Sequence, residues 1–178
     1  LTRPYSSPEM CMLVVGSLFA RVTSPPADER DDPDYPAVCR ALAASLAALP
    51  EAMAFNREFF DVLIDLGTEP RFMDLQDGLP VVHVCHACAA LVRGLPFHFD
   101  ANFVAVDTSF RQFLQLLANV WYGETISLHT KASVATIFEA LAGCVAHDLA
   151  SPSIHSLSAQ LRCRLFLPAP APSGGPLP

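Results

Sequence analysis

The sequence predicts an all-α fold in which antiparallel helix pairs stack neighbour on neighbour to form a short α-solenoid. Two observations support this prediction. Apolar residues recur at helical intervals through most of the 178 residues, whereas β-type alternation rarely persists and no Asn-Gly or Asp-Gly turn separates β-branched segments. In addition, one apolar helical segment occurs three times with nearly the same pattern.

The repeated segment occupies residues 38–50 (VCRALAASLAALP), 84–96 (VCHACAALVRGLP) and 137–149 (IFEALAGCVAHDL). The first two copies align without a gap and share Val-Cys at the start and Leu-Pro at the end. In a solenoid each unit is a helix pair that cannot bury its apolar face alone, so neighbouring units complete the core. The predicted units span about residues 8–50, 56–96 and 107–150.

The first unit begins with a helix predicted at Pro8–Val22. Ser7 is expected to cap this helix, and Pro8 suits its first turn, where a backbone N–H has no intrahelical acceptor. Residues 23–34 then break the helical pattern. They contain five acidic residues and one arginine, which predicts an exposed loop.

The second helix of the first unit is predicted at residues 36–49. Asp34 is expected to cap it, and Pro50 is expected to end it because proline lacks the N–H that would continue the helix. Asn56 is expected to cap the first helix of the second unit in the same way.

The remaining helices follow the same plan of helix, short loop and helix. The third unit is expected to open at Asp107, Thr108 or Ser109. The expected helices cover residues 57–67 and 79–94 in the second unit, 109–123 and 131–149 in the third, and 151–167 at the end of the domain. The domain thus spans residues 1–167. Residues 168–178 form a tail rich in proline and glycine, which cannot bury apolar surface.

Composition limits the classes of function. Hydrophobic residues make up 52% of the chain, which is enough for one substantial core, and the net charge of −7 leaves no basic surface typical of nucleic-acid-binding proteins. No segment has the eighteen or so consecutive apolar residues of a membrane span, so none is expected. The six cysteines mostly fall in apolar helical segments, which favours a reducing, intracellular environment over a disulfide framework.

A cluster of metal-binding residue types lies at His83, Cys85, His86 and Cys88. It raises the alternative of a metal or thiol-redox site. In the repeat alignment, however, Cys85 and Cys88 occupy apolar positions, and buried free cysteine behaves as a small hydrophobe. Structural zinc sites usually need two separated ligand pairs, and the chain has no second Cys-x-x-Cys. The favoured interpretation is a core helix that binds no metal.

An enzyme is not expected. The nucleophile elbow, the P-loop and the dinucleotide-binding glycine pattern are all missing from the sequence. Cys144 and His147 lie three residues apart on a predicted helix, but a core cysteine and a histidine near a helix C-terminus account for them without catalysis. No cofactor is therefore predicted.

Candidate partner-binding residues are aromatic or basic. Trp121 and Tyr122 end a predicted helix, where they either close the core or anchor a partner, since both types are enriched in interface hot spots. The basic candidates are Arg71, Arg93 and Arg111. Together with Arg40 and Arg57, they would offer a surface for direct contact with RNA if the fold gathered them on one face.

The three alanine-rich segments resemble the inner helices of armadillo/HEAT-like repeats and of organellar helical-repeat proteins related to the octotricopeptide and RAP-domain families. The resemblance covers about residues 8–150. It implies a non-enzymatic interaction scaffold in a large organellar complex, such as a mitochondrial ribosome or an RNA-processing assembly, with protein partners and a mitochondrial location. Direct RNA binding and the metal or thiol-redox protein remain as alternatives.

Overall fold

The computed structural model describes residues 8–28, 30–93, 103–123, 126–128, 131–135 and 137. All regular structure in these residues is helical, which confirms the all-α character of the fold. The elements in chain order are α1 (Pro8–Val22), α2 (Tyr35–Ala48), α3 (Glu51–Ala54), α4 (Arg57–Thr68), α5 (Pro70–Met73), a 3₁₀ turn (Leu75–Gly78), α6 (Leu79–Val92) and α7 (Phe103–Tyr122).

Several predictions concern residues outside this description. They are the Ser7 cap, the end of the second unit after Arg93, most of the helix predicted over 131–149, the terminal helix and the tail. Cys144 and His147 also lie there. Residues 131–135 and 137 are helical, as predicted for the start of the second helix of the third unit.

The two predicted helix caps have different outcomes. Asn56 has an extended backbone, and its Oδ1 accepts a hydrogen bond from the Phe59 N–H at 3.0 Å, which confirms the cap of α4. The prediction for Asp34 is wrong, because its side chain forms no cap bond. Asp34 has helical φ and ψ angles, and its own N–H donates to Oδ1 of Asp32 at 3.2 Å. Helix α2 accordingly begins at Tyr35.

The connector between α4 and α6 is more structured than predicted. It contains α5 and the 3₁₀ turn, in which Gln76, Asp77 and Gly78 have positive φ angles of 45°, 56° and 75°. Left-handed backbone costs roughly 1–2 kcal/mol for a residue with a Cβ, and only Gly78 escapes that cost. A Cβ on Gly78 would in addition lie 3.1 Å from the Ile126 side chain.

Helix α6 lies at the centre of the described core. Nearly all of its side chains are buried, and it contacts α2, α4 and α7. Helix α2 makes its most extensive contact with α6, and α1 packs on α2. The alanines and cysteines of α6 are small, so neighbouring helices approach it from several sides.

Aromatic contacts join α1 to α4 and α4 to α7. The rings of Phe19 on α1 and Phe59 on α4 are stacked with their centroids 4.0 Å apart. Phe60 on α4 meets Phe113 on α7 edge to face at 5.7 Å. Helix α7 begins at Phe103, so the prediction that it starts at Asp107, Thr108 or Ser109 is wrong.

Candidate functional site

Trp121 and Tyr122 are the last two residues of α7. The preceding Val120 is fully buried, but the Trp121 side chain is 41% exposed and Tyr122 is 62% exposed. Tyr122 lies on the side of α7 opposite the buried Phe113 and Leu117. Trp121 lies on the same side of the helix as the buried Leu114, but about two turns further along, at the end of the helix. The structure therefore leaves this aromatic pair in contact with solvent, while Phe110 from the same helix is buried in the core.

Arg71 lies on α5 at the rim of a cleft of about 390 Å³. The cleft forms where residues 23–34 meet the connector, and its lining consists of Pro25, Pro26, Ala27, Glu69, Arg71, Phe72, Asp74 and Leu75. Arg71 is exposed, and among the described residues it forms no ion pair. A guanidinium in this position is accessible to a partner.

Buried contacts hold the base of this cleft together. Tyr35 packs edge to face against Phe72 with ring centroids 6.2 Å apart, and its hydroxyl donates to the Val22 carbonyl. Burial, followed by the nearby Cys39, raises the pKa of Tyr35 far above its usual range, so the phenol stays protonated. Arg21 in the last turn of α1 forms a 2.7 Å salt bridge with Asp32, which links the two ends of the segment between α1 and α2. The cleft therefore lies between two connecting segments that are held in place by packed side chains.

Arg93 has a structural role that sequence analysis did not predict. Its guanidinium donates to the carbonyl of Ala47 at 2.8 Å and to that of Leu46 at 3.4 Å. Both carbonyls belong to the last turn of α2, at the negative end of the helix dipole. The Leu46 carbonyl also accepts from the Leu49 N–H at 3.2 Å. The contact joins residues 46 positions apart in the chain, so no local pattern could reveal it. Whether Arg93 also contacts a partner stays a prediction.

The other arginines belong to separate elements. Arg40 lies on α2, Arg57 on α4 and Arg111 on α7. Arg57 pairs with Asp61 one turn further along α4 at 3.4 Å. Arg57 and Arg93, both proposed for RNA contact, thus already have partners within the chain, Arg57 through a carboxylate and Arg93 through carbonyls.

The histidines and cysteines of α6 lie on opposite faces. At 100° per residue, Cys85 and Cys88 face the core and are fully buried, whereas His83 and His86 lie together on the other side and are partly exposed. Four side chains so arranged cannot converge on one ion. Among the described residues, no group of three or more metal-binding side chains comes together.

Burial sets the protonation state of these side chains. Desolvation raises the pKa of Cys85 to about 12, and desolvation followed by the neighbouring Cys85 raises the pKa of Cys88 well above its usual range. Desolvation, helped by His86 and Arg40, lowers the pKa of His83 to about 4. Both thiols are therefore protonated and unreactive at neutral pH, which suits core positions and not a redox centre.

The structure also reveals an exposed apolar surface that the sequence analysis did not single out. Met10, Leu13 and Val14 on α1 are 52%, 71% and 38% exposed, whereas Val15 and Val22 on the opposite side are fully buried. The sequence did contain a signal for this surface, because apolar residues occur on all sides of α1. That pattern is typical of a helix that neighbours cover on every side.

One stretch of the described chain is long and apolar enough to cross a membrane. It is Leu75–Val92, with a mean hydropathy of 1.3, and 72% of it is buried inside the protein. Length and composition alone do not separate a membrane span from the central helix of a packed domain. Helix α6, which forms most of this stretch, contacts α2, α4 and α7.

No protein-family model, curated protein or solved structure matches this chain. The likeness to helical-repeat proteins therefore rests on the repeated pattern of the sequence.

Proposed function

We propose that this chain is a non-enzymatic interaction module of the helical-repeat type, which binds protein partners within a larger assembly. The exposure of Trp121 and Tyr122 at the end of α7 carries the proposal. Tyrosine and tryptophan offer large, rigid contact areas and are enriched among the residues that dominate binding energy. Two such residues in sequence at the end of a helix form an anchor for a partner surface.

The helix contacts favour a stack of pairs. Helix α1 packs on α2, and α4 packs on α6. Equivalent helices of the two pairs are also neighbours, since α2 contacts α6 and Phe19 of α1 stacks on Phe59 of α4. A solenoid predicts this adjacency of like helices, and it leaves surfaces open for partners at its ends.

Charge favours a protein partner. The net charge of −7 opposes general attraction to a phosphate backbone, and Arg57 and Arg93 already have acceptors within the chain. The resemblance of the repeated segments to organellar helical-repeat proteins supports the proposal that the assembly is a mitochondrial ribosome or an RNA-processing complex. The chain would act there as a scaffold subunit.

Sedimentation of the tagged full chain from cell lysate tests the proposal. We expect the protein to sediment in a large complex, and Trp121→Ala combined with Tyr122→Ala to shift it to slow fractions. Met53→Ala is the matched control, because Met53 is 40% exposed on a different helix. Ribonuclease treatment of the same lysate decides whether RNA holds the complex together. Slow sedimentation of the unaltered chain, or unchanged sedimentation of the double variant, would contradict the proposal.

A further inference from the structure

The exposed side of α1 is divided into a half with large side chains and a half with small ones. Met10, Leu13 and Val14 occupy the N-terminal half, and all three are exposed. Ser17 and Ala20 are exposed in the C-terminal half. We call these five residues the outer face of α1.

The helical wheel places these residues on one side of α1. At 100° per residue they fall within an arc of about 120°, opposite the fully buried Val15 and Val22. Gly16 borders the arc, and a Cβ added there would meet nothing within 4 Å. The C-terminal half of the outer face, which carries the small side chains, is therefore a shallow surface. The N-terminal half beside it protrudes because it carries large apolar side chains.

Charges stand at the two ends of the same helix. Glu9 lies in the first turn and Arg21 in the last, and both are exposed. The hydrogen bond to Asp32 holds the Arg21 guanidinium in place and raises its pKa, while 57% of the side chain remains exposed. The helix thus begins with a negative side chain and ends with a positive one.

We propose that the outer face of α1 binds a second copy of this chain, with the two α1 helices antiparallel about a two-fold axis. In an antiparallel pair centred on residue 15, residue 13 of one copy lies level with residue 17 of the other, and residue 10 lies level with residue 20. Leu13 then meets Ser17 and Met10 meets Ala20, so that each large side chain lies beside a small one.

The end charges and the symmetry both favour a second copy. The antiparallel arrangement brings the end of α1 that carries Glu9 to the end of the partner's α1 that carries Arg21, so unlike charges and unlike ends of the helix dipoles are close. A two-fold interface must be self-complementary, because each surface is its own partner. The outer face of α1 meets this requirement in shape and in charge. A parallel pair would instead oppose large side chains to large ones and like charges to like charges.

The dimer is tested first by sedimentation equilibrium of the purified full chain. We expect a monomer–dimer equilibrium for the unaltered chain. Leu13→Asp should raise the dimer dissociation constant by roughly 100-fold or more, because an unpaired carboxylate would be desolvated at the centre of the contact. Val62→Asp is the matched control and should leave the equilibrium unchanged, since Val62 is 37% exposed on α4. A strictly monomeric chain, or equal effects of the two variants, would overturn the proposal.

Disulfide trapping tests the direction of the helices. Leu13→Cys and Ser17→Cys are prepared as separate proteins in which Cys11, Cys144 and Cys163 are replaced by serine. Under a mild oxidant, the mixture of the two proteins should cross-link several-fold faster than either protein alone, because residues 13 and 17 of different copies lie level and within disulfide reach. Faster cross-linking of each variant with itself than in the mixture would exclude the antiparallel pair.

Discussion

Gly67 of α4 lies directly against Leu116 of α7, and a Cβ placed on Gly67 would be only 2.7 Å from Cδ2 of Leu116. Leu116 is fully buried and cannot move aside without disturbing its neighbours. We expect Gly67→Ala to lower the free energy of unfolding by about 1–2 kcal/mol, because overpacking outweighs the gain in helix propensity. Urea denaturation measures the change.

The control for this prediction is to repeat Gly67→Ala in a protein that also carries Leu116→Ala, which removes the Leu116 atoms that the new methyl group would meet. In that background Gly67→Ala should raise the free energy of unfolding, since its methyl group fills part of the cavity and favours the helix. A destabilising effect of equal size in both backgrounds would show that the close approach to Leu116 is not the cause.

The caps of α2 and α4 predict different effects for similar substitutions. Asn56→Ala should cost about 1 kcal/mol of stability, because the Phe59 N–H loses its acceptor. Asp34→Ala should change stability by less than about 0.5 kcal/mol, because the Asp34 side chain makes no cap bond. Thermal and urea unfolding of both variants provide the comparison. Equal costs would contradict the described difference between the two helix starts.

Arg93 is expected to stabilise the contact between α6 and α2. Arg93→Ala should lower the free energy of unfolding by about 1 kcal/mol, since two carbonyls at the end of α2 lose a charged donor, although the Leu46 carbonyl keeps its bond from the Leu49 N–H. Arg71→Ala is the control and should have little effect, because Arg71 forms no ion pair among the described residues. If both variants unfold at the same urea concentration as the unaltered chain, Arg93 has no such role.

The two histidines of α6 predict lower stability in acid. Burial lowers the pKa of His83 to about 4 and lowers the pKa of His86, so both values lie below those of the unfolded chain. Between about pH 6.5 and pH 4 the unfolded chain binds more protons, and stability therefore falls as the pH falls through this window. Because both imidazoles are partly exposed, we expect a total loss of only about 1–2 kcal/mol from them.

The variant His83→Gln separates this effect from the titration of carboxylates. The free energy of unfolding of the variant should decline less between pH 7 and pH 4.5 than that of the unaltered chain. Identical pH profiles would mean that protonation of His83 does not oppose folding.

Thiol labelling tests the alternative of a redox protein. Burial raises the pKa values of Cys39 and Cys85 to about 12, and Cys88 is also shielded from solvent. We expect these three thiols to react with an alkylating reagent only after unfolding, while the partly exposed Cys11 reacts in the folded protein. Mass spectrometry of peptides from folded and unfolded samples identifies the labelled sites. Rapid labelling of Cys85 or Cys88 in the folded chain would revive the redox hypothesis.

Local signals in the sequence determined where several helices begin and end. The range of α1 was predicted as Pro8–Val22 and is confirmed, because a proline at its start and a charged, proline-rich segment after it act within a few residues. The cap at Asn56 is confirmed for the same reason, since the side chain bonds a backbone N–H three residues away. The prediction that Cys85 and Cys88 are buried also came from the repeat and its apolar positions.

Tertiary contacts decided the features on which the proposed interactions depend. The exposure of Trp121, the role of Arg93 and the open side of α1 depend on which helices dock against one another. The left-handed turn at Gln76 and Asp77 likewise lies where the connector meets the segment before α2, and Gln76 Nε2 lies 3.5 Å from the Asp32 carbonyl. Helical periodicity and capping involve neighbours within about four residues, whereas burial depends on residues distant in the chain. The sequence by itself therefore determined the main helices, and only their docking decided the structure of the connector and which helix surfaces remain open.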